Sequence, residues 1–165
     1  MSVRVVVDRA LGRRVPAATV QRITRVARRA AARLGLARGG AVLGIRIVDD
    51  AAMIELHRRH LGTAEPTDVL SFPALELPFA ADDGERPAAG DIAIDWDQLV
   101  RQSAGWGALA WTREAEQLVV HGIAHLAGHD HDTRARARRM ARAELRAART
   151  AGVAAQERPY AKGRA

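Results

Sequence analysis

Four of the chain's six histidines fall inside one eleven-residue stretch, HGIAHLAGHDH, from His121 to His131. On a helix, His121 and His125 lie four residues apart on one face, with Cβ atoms about 5–6 Å apart. Two imidazoles so placed can reach one metal ion at about 2.0–2.1 Å per Zn–N bond. Gly128 suits the left-handed residue that ends a helix, after which the chain can turn back and bring His131 to the same ion. Three neutral imidazoles leave a fourth position open, the arrangement of a catalytic rather than a structural zinc site. The pattern predicts one zinc ion per chain, held by His121, His125 and His131, with His121 catalytic as well as ligating.

The spacing H-x3-H-x2-G-x2-H is also that of the metzincin metalloproteases, in which Glu directly follows the first His as general base. Here that position is Gly122. Glycine accepts no proton, so a peptidase would lack its base. Cutting a phosphodiester instead requires an activated oxygen nucleophile and compensation of charge on the phosphate. A zinc ion with an open position supplies both, lowering the pKa of bound water toward ~7 and polarising a phosphoryl oxygen. A ligand imidazole also needs its second nitrogen held; His129, Asp130 and Asp132 are the neighbouring candidates. Asp68 and Ser71 are candidates for the cleft wall, Asp68 equally as a turn or capping residue. Ser71 sits in no G-x-S-x-G frame and is not read as a nucleophile.

These side chains need elements to position them. Thr112 to Leu126 reads as the metal-carrying helix, with Leu118, Val119, Ile123 and Leu126 apolar. Ser2 to Val7 is a β-branched run, read as a first strand. Pro16 opens an amphipathic helix with Val20, Ile23, Val26, Ala27, Ala30 and Leu34 on one face, closed by Gly35, Gly39 and Gly40. Val42 to Val48 reads as a second strand. Asp49 or Asp50 caps a helix from Ala51 to Leu61, ended by Gly62. Pro66 to Pro73 holds a third strand, and residues 74–90 read as loop with a turn at Asp82-Asp83-Gly84. Asp91 to Ile94 alternates as a fourth strand, and Asp95 caps a short helix to Gln102. Asp132 or Thr133 starts a last helix to Thr150. One domain is expected over residues 1–150, with 151–165 as a basic, disordered tail.

With 165 residues, the chain is long enough for one domain with a real core. It has no cysteine, which excludes disulfides and thiolate ligands. No apolar run approaches the ~20 residues that cross a bilayer, and the first residues show no signal-peptide pattern; a cytoplasmic protein with no membrane partner is expected. The net charge of +7 and pI near 11.3 favour a polyanionic partner, nucleic acid first. Lys162 is the only lysine, and Ala and Arg are abundant throughout, as a GC-rich genome would produce, so part of the basicity reads as compositional. Residues 133–165 carry ten Arg or Lys against two Glu. Aromatic residues make up 4% of the chain, too few for an extended stacking platform, so recognition should lean on arginines and phosphates.

Three segments together resemble one family. HGIAHLAGHDH resembles the HGxLHLxGYDH signature of the YbeY-type endoribonucleases, the bacterial rRNA maturation factors. EPTDVLSFP resembles that family's PTDVLSFP strand, identical from Pro66 to Pro73, and Gly90 to Ile94 (GDIAI) resembles its GDIxI strand. The resemblance runs from about residue 42 to 132; residues 1–41 agree in predicted element order, and the basic C-terminus adds nothing. It implies an α/β (α+β) fold: a single compact domain with a small mixed four-stranded sheet packed by helices, the metal helix near its centre. It also implies a metal-dependent endoribonuclease that prefers single-stranded RNA and acts in 16S rRNA 3′-end processing and ribosome quality control. Ribosomal RNA, with ribosome or ribosome-assembly proteins, would be its partners. The zinc ligands carry over to His121, His125 and His131.

Two positions depart from the family pattern. The signature tyrosine is His129, a fourth imidazole near the metal. The functional arginine that usually stands five residues before the PTDVLSFP proline is replaced by Leu61, and the aromatic before it by His60. Arg58 or Arg59 is then expected to supply the guanidinium. Arg58 is the better candidate, because it is three residues from Leu61 on a neighbouring helix face, and Arg59 the solvent-facing one. Two rival functions stand beside the nuclease: an RNA-binding ribosome-assembly factor with a mainly structural metal, and a zinc metallopeptidase.

Overall fold

Strand side chains alternate between the two faces of a sheet, and here the alternation sorts the apolar residues into two cores. In β4 (Ala88–Asp95), Ile92 and Ile94 enter the larger core while Ala93 enters the smaller. In β3 (Val69–Phe72), Leu70 and Phe72 go with Ala93, and Val69 packs with the isoleucines. Ser71 therefore points to the same side as Val69. This is a computed structural model, and the residues it describes are 1–62, 64, 67–74, 88–103, 105 and 107–154.

Among the described residues the sheet has four strands in the order β1 (Ser2–Val7), β2 (Val42–Val48), β4, β3. The first two pairs are parallel; β3 runs antiparallel to β4, with Ser71 opposite Ile92. Parallel neighbours require a crossover. The first is α1 (Ala17–Arg33), and the second passes through α2 (Asp50–Leu61) and β3. Then come α3 (Trp96–Gln102), α4 (Ala108–Leu126) and α5 (Arg134–Ala151). The larger core joins Ile23, Val26 and Ala30 of α1, Ile45 and Ile47 of β2, and Leu118, Val119 and Ile123 of α4. Met53 of α2 covers the other face. The fold is the single α/β domain with a small mixed sheet that the motifs implied.

Several boundaries move, each for a local reason. α4 starts at Ala108, four residues before Thr112. The Thr112 hydroxyl donates to the carbonyl of Ala108 at 2.6 Å inside the helix instead of capping it. β4 begins at Ala88 rather than Asp91. Gly90 permits this with φ 125°: a Cβ there would come 2.7 Å from both Leu126 Cδ2 and the Phe72 carbonyl. Asp49 caps α2, accepting from the Ala52 N–H, Asp95 caps α3 through the Gln98 N–H, and Thr133 caps α5 through the Arg136 N–H. Of the residues expected in the tail, Ala151 and Val153 are buried, and the Gln117 side chain donates to the carbonyl of Ala154. Glu65, Pro66, the side chain of Leu61, the turn at Asp82-Asp83-Gly84 within residues 75–87, and residues 155–165 lie outside the described residues.

Candidate metal centre

The C-terminal half of α4 is buried on nearly every side, as a central helix must be; Leu118, Val119, Val120, Gly122, Ile123 and Ala124 are all buried. Gly122 is what lets it lie close to the sheet. A Cβ there would meet Ile92 Cδ1 at 2.9 Å and Ser71 Oγ at 3.0 Å. The helix ends as the glycine predicted. Gly128 has φ 82°; its N–H donates to the His125 carbonyl and the His129 N–H to the Ala124 carbonyl, at 2.8 and 3.0 Å. That paired closure around a left-handed glycine reverses the chain.

The reversal brings the three expected imidazoles together. His121, His125 and His131 each offer a ring nitrogen, all within 4.8 Å of one another. The Nε2 atoms of His121 and His125 are 3.2 Å apart. A tetrahedral ion with bonds of about 2.0–2.1 Å holds its ligand atoms about 3.3–3.4 Å apart, so the donor set fits a small ion such as zinc. Burial, reinforced by the neighbouring imidazoles of His121 and His131, lowers the pKa of His125 to about 4. At neutral pH His125 is therefore the neutral imidazole that a metal requires. His129 lines the adjoining cavity but does not belong to the nitrogen cluster.

The residue that orients His121 was not among the candidates. The Nδ1–H of His121 donates to Glu144 Oε1 at 2.6 Å, which leaves Nε2 as the ligating atom. Glu144 is 8% exposed on the inner face of α5, between Met140 and Ala147. A carboxylate on an apolar stripe is the signal that could have found it, because a buried charge requires a partner. Asp130, expected in this role, instead accepts the N–H of His131 at 2.7 Å and pairs with Arg136 at 3.5 Å. The His131 N–H, more than Arg136, holds the Asp130 carboxyl below its usual range. Asp132 pairs with Arg136 at 2.7 Å. Glu144→Gln is expected to keep the fold but weaken metal binding about 10–100-fold, the usual effect of losing a partner that orients a ligand. Competition with a chelator at neutral pH would measure it, and unchanged affinity would show that the contact is only structural.

A cavity of about 540 Å³ opens beside the imidazoles, lined among others by Asp68, Ser71, His129, Asp130 and Arg136. Ser71 reaches it because β3 alternation turns it toward α4, where its hydroxyl donates to the Gly122 carbonyl at 3.3 Å. Asp68 lies at the same wall, its side chain accepting from Gln102. Neither Arg58 nor Arg59 is among the lining residues. Arg58, expected to face the cleft, and Arg59, expected to face solvent, are both exposed, and both pair with Glu55, one turn back at i+3 and i+4. The guanidinium in the cleft is that of Arg136, four residues after its partner Asp132. His60, at the family's aromatic position, packs edge-on against Phe72 with centroids 4.9 Å apart.

Asp50, Asp95 and Asp97 form a second group with ligand atoms within 4.8 Å of one another. Its carboxylates are engaged otherwise: Asp50 with Arg101, Asp97 with Arg14, and Asp95 with the N-terminus of α3. Burial, with Asp50 alongside, pushes the Asp95 carboxyl up to about 7.

A family model described as "Endoribonuclease YbeY" matches residues 10–152, a wider span than the motifs alone covered. An Endoribonuclease YbeY from Moorella thermoacetica is 45% identical over 117 residues, covering 68% of this chain and 74% of that one. Another, from Symbiobacterium thermophilum, is 42% identical over 126 residues, covering 74% and 80%. The solution structure of TM1509 from Thermotoga maritima is a weaker likeness, with TM-score 0.49 and 19% identity over 90% of this chain and 88% of that one.

Proposed function

This chain belongs to the endoribonuclease YbeY family, and from that premise we propose that it is a zinc-dependent endoribonuclease cutting single-stranded RNA. Its role is the 3′-end maturation of 16S rRNA and ribosome quality control, in the cytoplasm and alongside ribosome or ribosome-assembly proteins. The observation that carries the reading is the lining of one cavity, which holds three clustered imidazoles and a guanidinium. A structural metal is enclosed by its ligands, whereas a catalytic one faces open space, and here His131 is exposed and the cavity adjoins the cluster. Among the described residues no helix is long and apolar enough to cross a membrane.

Each side chain then has a task. His121, His125 and His131 hold the ion, Glu144 fixes the tautomer of His121, and burial keeps His125 neutral. Bound there, the ion supplies activation of water and polarisation of a phosphoryl oxygen. Arg136 sets a positive charge where a phosphate enters, and Ser71 and Asp68 line the same cavity. The peptidase reading loses its ground at Gly122, which carries no base and where a glutamate would crowd Ile92 and Ser71.

The test is metal analysis of the purified chain coupled to cleavage of single-stranded RNA, duplex RNA and casein. One zinc per chain and chelator-sensitive cleavage of single-stranded RNA are expected. Tight RNA binding without turnover would favour the assembly factor, and casein cleavage without RNA cleavage the peptidase.

A further inference from the structure

The longest charged surface that begins at the cavity runs along α5. Its inner face is Ala137, Met140, Ala143, Glu144, Ala147, Ala148 and Ala151, all buried. Most of these side chains are methyl groups, which seats the helix closely on its neighbours. The outer face carries Arg138, Arg139, Arg142, Arg146 and Arg149, all exposed. From Arg136, which lines the cavity, the chain Arg136–Arg139–Arg142–Arg146–Arg149 steps by three or four residues. Each step joins neighbours on a helix surface and turns by about 60° or less at about 100° per residue. The series spans about 20 Å at about 1.5 Å per residue.

We propose that α5 carries the RNA backbone away from the metal centre. Arg136 takes the phosphate in the cavity, and Arg139, Arg142, Arg146 and Arg149 take those that follow on the same strand. The proposal rests on the RNA reading above and adds the path of the strand to it. A guanidinium is planar, permanently charged and forked to match phosphate. The ion pairs of Arg136 use Nη1 toward Asp132 and Nη2 toward Asp130, and these do not exhaust its five N–H donors.

Arg-rich composition alone does not account for the ridge. Some arginines elsewhere are matched by acids: Arg14 by Asp97, Arg22 by Glu116, Arg46 by Asp8, Arg101 by Asp50. Among the described residues none of Arg139, Arg142, Arg146 and Arg149 has an ion pair, and the acid of their own helix, Glu144, is turned inward to His121. On α1, Arg25, Arg28, Arg29 and Arg33 are also exposed, but no residue of α1 lines the cavity. They make the internal control.

The experiment measures binding of a labelled single-stranded RNA oligonucleotide to the zinc-loaded full chain across a salt series. It compares wild type, an α5 quadruple variant (Arg139→Gln, Arg142→Gln, Arg146→Gln, Arg149→Gln) and an α1 quadruple variant (Arg25→Gln, Arg28→Gln, Arg29→Gln, Arg33→Gln). Glutamine is a good helix former, so both sets should fold, and an α5 quadruple Arg→Lys variant tests charge with the helix surface kept. Each single-strand phosphate contact contributes about 0.7 to the slope of log affinity on log salt, so the α5 Gln set should lower the slope by about 3. The Lys set should keep most of it, and the α1 set should change it by less than about 1. Arg136→Gln should slow cleavage more than it weakens binding, at unchanged zinc content. Equal losses in the α1 and α5 sets, or a wild-type slope in the α5 Gln set, would overturn the track while leaving the nuclease intact. A wild-type chain that neither binds nor cuts RNA would remove both.

Discussion

Replacing Gly122 with glutamate, which would complete the metzincin pair, is expected to destabilise the protein severely rather than to create a peptidase. A Cβ at this position would lie 2.9 Å from Ile92 Cδ1, 3.0 Å from Ser71 Oγ and 3.1 Å from Ile92 Cγ2. Overpacking of this kind costs about 1–3 kcal/mol. The rest of the side chain would press a carboxylate between α4 and the sheet, and an unpartnered buried charge costs several kcal/mol more. A domain stable by about 5–15 kcal/mol loses much of its margin to such a sum. A fall in Tm of at least ~10 °C is expected, at about 2–4 °C per kcal/mol for a chain of this size. Gly122→Ala should do less, because the Ile92 side chain can shift by a few tenths of an ångström and alanine favours a helix by about 1 kcal/mol over glycine. Thermal melts of the two zinc-loaded variants decide it. A glutamate variant with wild-type Tm would mean that α4 can lift from the sheet, and the packing argument against a peptidase would fall.

A sequence of this kind discloses what is local and hides what tertiary packing brings together. The His121–His125 pair and the Gly128 closure are local: spacing of four on a helix and one left-handed residue determine them, and both stand where the spacing put them. The strand alternation in residues 69–72 and 91–94 is local too, and it turns Ser71 to the helix carrying the imidazoles. Glu144 and Arg136 come from a helix that meets α4 only through tertiary packing, and no spacing rule links position 121 to 144. Glu144 did leave a trace, an acid on the alanine face of an arginine-rich helix. Helix register counted from Leu61 did not anticipate Glu55, which lies one turn from both arginines and pairs with both at the surface. The last helix ends within one residue of the expected Thr150, but the burial of Val153 beyond it comes from contacts with distant elements, which a run of small and polar residues does not announce.

Replacing His131 with alanine is expected to take bound zinc well below one equivalent and RNA cleavage down by more than about 100-fold, whereas His129→Ala should leave one zinc per chain. The two histidines are two residues apart on the same turn and both reach the cavity wall, so proximity alone does not separate them. The ring geometry does. His131 stacks toward His121 with centroids 5.6 Å apart and lies 5.2 Å from His125, closing a triangle whose third side is 4.7 Å. Its ring nitrogen belongs to the cluster within 4.8 Å. Losing a partner that merely orients a ligand already costs about 10–100-fold in metal affinity or activity, so losing a ligand itself should exceed that. His131 is exposed, and its removal opens no cavity in either core, so the apo fold should persist and the loss be read as metal loss rather than unfolding. Metal content by elemental analysis after dialysis against a weak chelator, with a melt of each apo protein, separates the outcomes. Full zinc occupancy in His131→Ala with depletion in His129→Ala would transfer the third ligand to His129, and the reversal at Gly128 would then present the earlier histidine to the ion.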